Sequence, residues 1–189
     1  MDRIATVTEG TPYRSYLYAY PHKNAYRRLY PPVPLDVAWA DEDRSALFLY
    51  LHVPFCEMRC GFCNLFTLTG PREALVGALE RQVLQVSAAI GPARYARVAI
   101  GGGTPTFLTA PQLERALDLV ETMGADLRAV PFGVEVSPGT ATEDRLAVLR
   151  ARGVDRVSIG IQSFQPEERR AAQRPEAADK VPVALDRIR

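Results

Sequence analysis

One pattern limits the folds open to this chain more than any other. From residue 46 onward, short apolar runs alternate with segments of helical period, four times over. Ala46–Val53 is a continuous apolar run broken only by His52, as expected of a buried strand. Pro71–Ile90 then carries Leu75, Leu79, Val83, Val86 and Ile90 at helical spacing, and Gly91-Pro92 stops it. Arg97–Ile100 is a second strand that runs into Gly101-Gly102-Gly103. Thr109-Ala110-Pro111-Gln112 reads as a capping box ahead of Leu113, Leu117 and Val120, with Gly124 as the C-cap. Phe132–Val136 is a third strand, Thr140-Ala141-Thr142-Glu143 a second capping box, and Gly153 the end of that helix. Val154–Ile161 is a fourth strand. From Pro166 the chain is helical again, kinked or split around Pro175 and Pro182. Alternation of this kind makes a parallel sheet with crossover helices. The expected fold class is α/β, with about four β/α units of a barrel that is incomplete at its C-terminal end.

Residues 1–44 lack that pattern and are expected to form an irregular N-terminal arm, with residues 45–189 as the core domain. Tyr13, Tyr16, Tyr18, Tyr20, Tyr26 and Tyr30 stand among Arg, Lys and Pro. They either anchor an extended arm or stack on a flat ligand such as a nucleobase or porphyrin.

Composition narrows the function. The chain is 47% apolar and 24% charged, which is ordinary for a globular domain. A net charge of +1 gives no case for a nucleic-acid or anionic-membrane partner. The longest apolar run is too short to span a bilayer, and the start at Met1-Asp2-Arg3 has no apolar leader. The expected compartment is the cytoplasm.

All three cysteines fall within one loop: Cys56, Cys60 and Cys63, spaced C-x3-C-x2-C, directly after the first strand. An odd, clustered set is not a disulfide framework. In parallel α/β folds ligands bind at the carboxyl ends of strands, which is where this loop lies. Three thiolates can hold three irons of a [4Fe–4S] cluster and leave the fourth open. S-adenosylmethionine (SAM) can chelate that iron through its amino and carboxylate groups. One electron then cleaves its sulfonium C–S bond to methionine and a 5′-deoxyadenosyl radical, which abstracts hydrogen from carbon. Zinc is the alternative, with His52, Cys56, Cys60 and Cys63 as a Cys3His set. His52 can equally be a packed histidine beside the site.

The string Tyr50–Phe66, with its Tyr-x-His-x-Pro-Phe-Cys start, resembles the signature of the radical SAM superfamily. The likeness is to its oxygen-independent coproporphyrinogen III oxidase-like and haem-chaperone-like branch. Three further motifs resemble the same family, in its order: Gly101–Thr106, Glu135-Val136-Ser137-Pro138 and Ser158–Phe164. The resemblance covers residues 13–189 and implies a partial TIM-like (β/α)6 radical SAM barrel. It implies cluster ligation by Cys56, Cys60 and Cys63, and shielding of the cluster and adenine by Phe62. It also implies contacts to SAM from Tyr50, Gly102, Gly103, Thr104, Glu135, Gln162 and Arg174. The activity implied is that of an oxidoreductase with cluster and SAM as cofactors. Its partners would be a small-molecule substrate, a tetrapyrrole among the candidates, and a flavodoxin- or ferredoxin-type electron donor.

The residues leave blander readings open beside these. Gly101–Gly103 can be a tight strand–helix turn, and Glu135 can form a structural ion pair with an arginine. There are also departures from the family pattern. The coproporphyrinogen oxidases carry a fourth cysteine two positions after the third, and Leu65 stands there in this chain. Their following strand, with its acidic residue and Gly-Leu-Pro motif, is absent from this sequence. A haem-binding chaperone-like protein, a zinc module or an inactive fragment are therefore the alternatives to an enzyme.

Overall fold

The structure is a computed structural model that describes residues 27–28, 30–60, 63, 67–69, 73–173 and 180–189. Two compact units divide the chain, Met1–Pro34 and Leu35–Arg189. Tyr13, Tyr16, Tyr18, Tyr20 and Tyr26 lie outside the described residues, and Tyr30 is almost fully exposed.

The second unit begins with a four-residue helix, α1 (Leu35–Ala38), so the stretch up to residue 44 is not wholly irregular. The order that follows is β1 (Leu47–Val53), α2 (Glu73–Ile90), β2 (Tyr95–Gly102), a 3-10 turn (Pro105–Phe107) and α3 (Ala110–Thr122). Then come β3 (Phe132–Val136), α4 (Glu143–Ala151), β4 (Arg156–Ile159), α5 (Pro166–Ala171) and α6 (Lys180–Ile188). The four strands form one sheet in the order β1-β2-β3-β4, with every pair parallel. The fold is therefore α/β with crossover helices, as the alternation requires. No helix among the described residues is long and apolar enough to cross a membrane.

Side chains alternate across the strands, and the sheet has two unlike faces. Leu49, Leu51, Val53, Val98, Ile100, Phe132, Val134 and Val136 are buried in the core. Leu75, Leu79, Leu113, Leu117, Val120, Leu146 and Leu149 of α2, α3 and α4 pack into the same cluster. Among the described residues Phe132 is the largest fully buried side chain, and cutting it to alanine would cost about 3–5 kcal/mol. The other face carries Phe48, Tyr50, His52, Arg97, Glu135, Arg156 and Ser158, and Phe48 and Tyr50 are 60% and 48% exposed on it.

Local signals account for the element ends. Thr109 and Gln112 form the expected reciprocal capping box at the start of α3. Gly124 and Gly153 take φ +93° and +84° just after the C-caps of α3 and α4, a conformation only glycine adopts without strain. The second expected capping box does not form. Thr142, not Thr140, caps α4, and its hydroxyl bonds Asp144 rather than a backbone amide. Thr140 is instead buried, with its hydroxyl against those of Thr106 and Ser137. The fourth strand is shorter than the apolar run Val154–Ile161 suggests, because only Arg156–Ile159 pair with β3. The last helical stretch is split, and Pro182 sits in the first turn of α6, where its missing N–H costs nothing. Pro175 lies outside the described residues.

Candidate functional site

The cysteine loop leaves the carboxyl end of β1 and is tied at its base. Leu68 N donates to Pro54 O (2.7 Å) and Cys56 N to Leu68 O (3.1 Å), which closes the loop on a Phe55–Leu68 bridge. Cys63 N donates to Cys60 O (2.9 Å), so the last two cysteines share one turn. All three are reduced thiols of intermediate burial. Cys56 Sγ lies 3.2 Å from Thr104 Oγ1, and Cys63 Sγ donates to Thr67 Oγ1 at 3.0 Å.

The end of β2 clamps this loop. Gly103 N donates to Val53 O and Thr104 N to Phe55 O, both at 2.8 Å. A Cβ on Gly103 would fall 2.5 Å from Phe55 O, and one on Gly102 would fall 2.7 Å from Val53 O. The glycines thus let backbone meet backbone. Gly101 and Gly102 are not a turn, as the sequence suggests, but strand residues paired with His52 and Val53. The Gly102 amide also has a partner, donating to Glu135 Oε2 at 3.1 Å. All three amides of Gly102–Thr104 are therefore engaged within the protein. Gly103 O already accepts from Thr104 Oγ1 (2.8 Å) and Thr104 O from Phe107 N (2.9 Å), so what the segment can still offer a ligand is the second lone pair of a carbonyl oxygen, an acceptor suited to an ammonium group.

Glu135 stands one residue before the end of β3. Among the described residues its carboxylate makes no ion pair with an arginine. Its partner is the Gly102 amide. A Cβ on Gly101 would touch both Glu135 Oε2 (2.8 Å) and Tyr50 OH (2.9 Å), so these two side chains meet over that glycine. Tyr50 OH lies 3.3 Å from His52 Nδ1. Burial, with the Glu135 charge second, pushes the Tyr50 hydroxyl above the usual tyrosine range, so it stays protonated and can donate. The His52 ring lies against Gly102 and Tyr50.

The sequence order Glu135 then Gln162 suggests equivalent places on neighbouring strands, but Gln162 lies beyond β4. The place beside Glu135 is held by Ser158, which pairs with it, and Gln162 follows three residues after β4 ends. Gly160 N donates to Val136 O (3.0 Å), the last bond of the β3–β4 ladder, and pairing ends after it. Gln162 is half-buried there. Phe62 and Arg174 lie outside the described residues.

Two features of the structure have almost no signature in the sequence. Thr106, Ser137 and Thr140, all buried, form a hydroxyl cluster with contacts of 2.6 Å (Thr106–Thr140) and 2.9 Å (Ser137–Thr140). It joins the loop after β2 to the loop after β3. The second is a groove of about 250 Å³ on the polar sheet face, lined by Phe48, Tyr50, Arg97, Glu135 and Arg156 among others. Its one sequence signal is a charged Arg97 inside an otherwise apolar strand.

Whether these residues suit an iron–sulfur cluster turns on donors and geometry. The donor set suits one: three thiols within eight residues at the carboxyl end of a parallel strand. Threonine hydroxyls stand at two of them, the outer-shell contacts that orient and stabilise thiolate ligands. The geometry is not closed. Among the described residues no three His, Cys, Asp or Glu side chains converge to hold a metal ion. Cys56 and Cys63 are each within hydrogen-bond reach of their own threonine, so gathering the sulfurs requires side-chain rotation within the loop.

Comparison with known proteins places this geometry in context. Residues 50–189 match the description Radical SAM superfamily. The chain is 33% identical over 124 residues to heme chaperone HemW of Bacillus subtilis, covering 62% of this chain and 32% of that protein. It is 33% identical over 163 residues to oxygen-independent coproporphyrinogen III oxidase of Paracoccus denitrificans, covering 84% and 36%. The solved Escherichia coli coproporphyrinogen III oxidase HemN, titled a radical SAM enzyme, superposes with a TM-score of 0.68 at 26% identity. That match covers 77% of this chain and 34% of the other. The chain thus spans about a third of the length of the relatives it matches.

Proposed function

The chain belongs to the radical SAM superfamily, and on that premise we propose that it binds a [4Fe–4S] cluster on Cys56, Cys60 and Cys63 and SAM beside it, as a coproporphyrinogen III oxidase-like oxidoreductase. The observation that carries this reading is the clamp: a loop of three thiols held against the end of β2, with a threonine hydroxyl 3.2 Å from the first sulfur. When bound, the cluster and SAM supply one-electron cleavage of the sulfonium to a 5′-deoxyadenosyl radical for hydrogen abstraction.

The chain's own residues do the rest. Thr104 and Thr67 hydrogen-bond the sulfurs and fix their orientation. The Gly102–Thr104 carbonyls accept from the amino group of SAM. Glu135 puts a negative charge at the rim of the sheet, where it favours a cationic sulfonium and accepts from hydroxyls. Tyr50, kept protonated, donates beside it. Gln162 and Arg174 hold polar groups of SAM, Arg174 being suited to its carboxylate. Phe62 covers the cluster and adenine from water. The same reading assigns a small-molecule substrate of the tetrapyrrole class, a flavodoxin- or ferredoxin-type electron donor and a cytoplasmic setting. Residues 45–189 are its core domain. Anaerobically reconstituted protein given SAM and dithionite tests it: 5′-deoxyadenosine is expected, and unchanged SAM would contradict the reading.

A second reading rests on Leu65, which stands where the oxidases carry a fourth cysteine, and on the likeness to a haem chaperone. On this reading the chain binds haem. A saturable Soret shift on haem titration, with no 5′-deoxyadenosine formed, would favour it over the oxidase.

A further inference from the structure

We propose that Arg97 on β2 and Arg156 on β4, which line one groove on the polar face of the sheet, recognise the carboxylate of a small molecule bound there. The proposal rests on the radical SAM reading only for placing a ligand above this face. The rest comes from the groove. Register puts Phe48 beside Arg97, and Tyr50, Ala99, Gly133 and Arg156 in one row across the four strands. The centre of that row is small, so its floor is low between an aromatic side on β1 and a cationic side on β4. Arg156 lies along that floor, its Cβ and Cδ 3.9 and 4.0 Å from where a Gly133 Cβ would be.

The charges around the groove are unevenly engaged. Glu135 accepts from the Gly102 amide, and Asp155 Oδ1 accepts from the Phe132 amide at 3.1 Å. Both acids are thus engaged by backbone. Among the described residues neither Arg97 nor Arg156 makes an ion pair or a side-chain hydrogen bond, although both line the same groove. Two unpaired guanidinium groups beside exposed Phe48 and Tyr50 match a ligand with a flat apolar part and a carboxylate. At about 250 Å³ the groove is smaller than the ~300–1,000 Å³ of enclosing pockets. It admits a ring and its acid arm, with the remainder of the ligand outside.

Two sources can supply that carboxylate, the substrate and the methionine end of SAM, and the test separates them. The full chain is titrated with coproporphyrin III, its uncharged tetramethyl ester and SAM. The proteins compared are the wild type, Arg97→Gln, Arg156→Gln, the double variant, and Arg115→Gln as a control paired with Glu80 on the helical side. Each groove variant should weaken one acid ligand by about fivefold and the double variant by about twentyfold. Arg115→Gln should leave that affinity unchanged, and the ester should show no dependence on either arginine. Weakened coproporphyrin binding assigns the groove to substrate, and weakened SAM binding assigns it to cofactor. Equal affinities across all variants, ester binding as strong and as arginine-dependent as the acid, or no binding of either acid would overturn the proposal. Failure of the radical SAM reading has a separate signature: wild-type protein that releases no 5′-deoxyadenosine.

Discussion

Replacing Gly103 by alanine probes the clamp with a single methyl group. The added Cβ would lie 2.5 Å from Phe55 O and 2.8 Å from Phe55 C, both backbone atoms that no side-chain rotation can clear. The cysteine loop must therefore retreat by at least about half an ångström, an overpacking cost of about 1–3 kcal/mol. The same movement stretches Gly103 N to Val53 O and Thr104 N to Phe55 O, each worth about 0.5–1.5 kcal/mol net. Together the expected loss is about 2–6 kcal/mol, a large share of the ~5–15 kcal/mol of a typical domain. Gly77→Ala is the matched control. Its Cβ would meet only the Arg81 side chain at 3.7 Å, and in mid-helix it should stabilise by about 0.5–1 kcal/mol. Urea denaturation of the three proteins, with iron uptake measured on the same samples, reads the effect. Gly103→Ala within about 0.5 kcal/mol of wild type, with full iron uptake, would refute the argument that backbone contact seats the loop.

Three further expectations follow from the same geometry. Thr140→Val leaves the Thr106 and Ser137 hydroxyls short of a buried partner and should cost about 1–3 kcal/mol by denaturation. Adding Thr106→Val should cost less than the sum of the two single changes. Glu135→Gln removes the charge that helps raise the Tyr50 pKa, so Tyr50 should ionise at lower pH, read by the difference in tyrosinate absorbance between variant and wild type. In the wild type Tyr50 contributes no loss of stability below the ordinary tyrosine range. As pH rises from that range through its raised folded value, stability falls, because the unfolded chain loses its proton first. Arg152→Ala cuts the pairs to Asp118 and Glu121 that join the end of α4 to α3, and should cost no more than about 1 kcal/mol, less at high salt.

Much of the fold is legible in the sequence because strand and helix periods differ and the helix stops are glycines. Phe132–Val136 is a strand over its full expected length, since apolar residues there alternate with Gly133 and Glu135 and one face is buried. The errors arise where tertiary contacts override local pattern. Gly101 and Gly102 read locally as a turn, yet β1 lies beside them and extends the ladder through both. Thr140 has the local form of a cap, yet Thr106, distant in sequence, captures its hydroxyl. Gly160 and Ile161 lie in a run that reads as strand, but pairing ends at Ile159 and leaves Gln162 beyond the sheet. In the site, the thiols and Glu135 are legible because cysteines are few and a carboxylate in an apolar strand is conspicuous. The Arg97–Arg156 groove is not, since only sheet register brings those residues to one face.

Metal content tests the assignment of the three thiols most directly. Protein reconstituted anaerobically with iron and sulfide, with zinc present in competition, should carry about four irons per chain and show sulfide-to-iron charge-transfer absorbance. Alanine at Cys56, Cys60 or Cys63 should abolish both, and alanine at His52 should leave the iron in place. Zinc bound in preference to iron, or iron retained after any one of the three cysteines is removed, would contradict the assignment of three thiolates to one cluster.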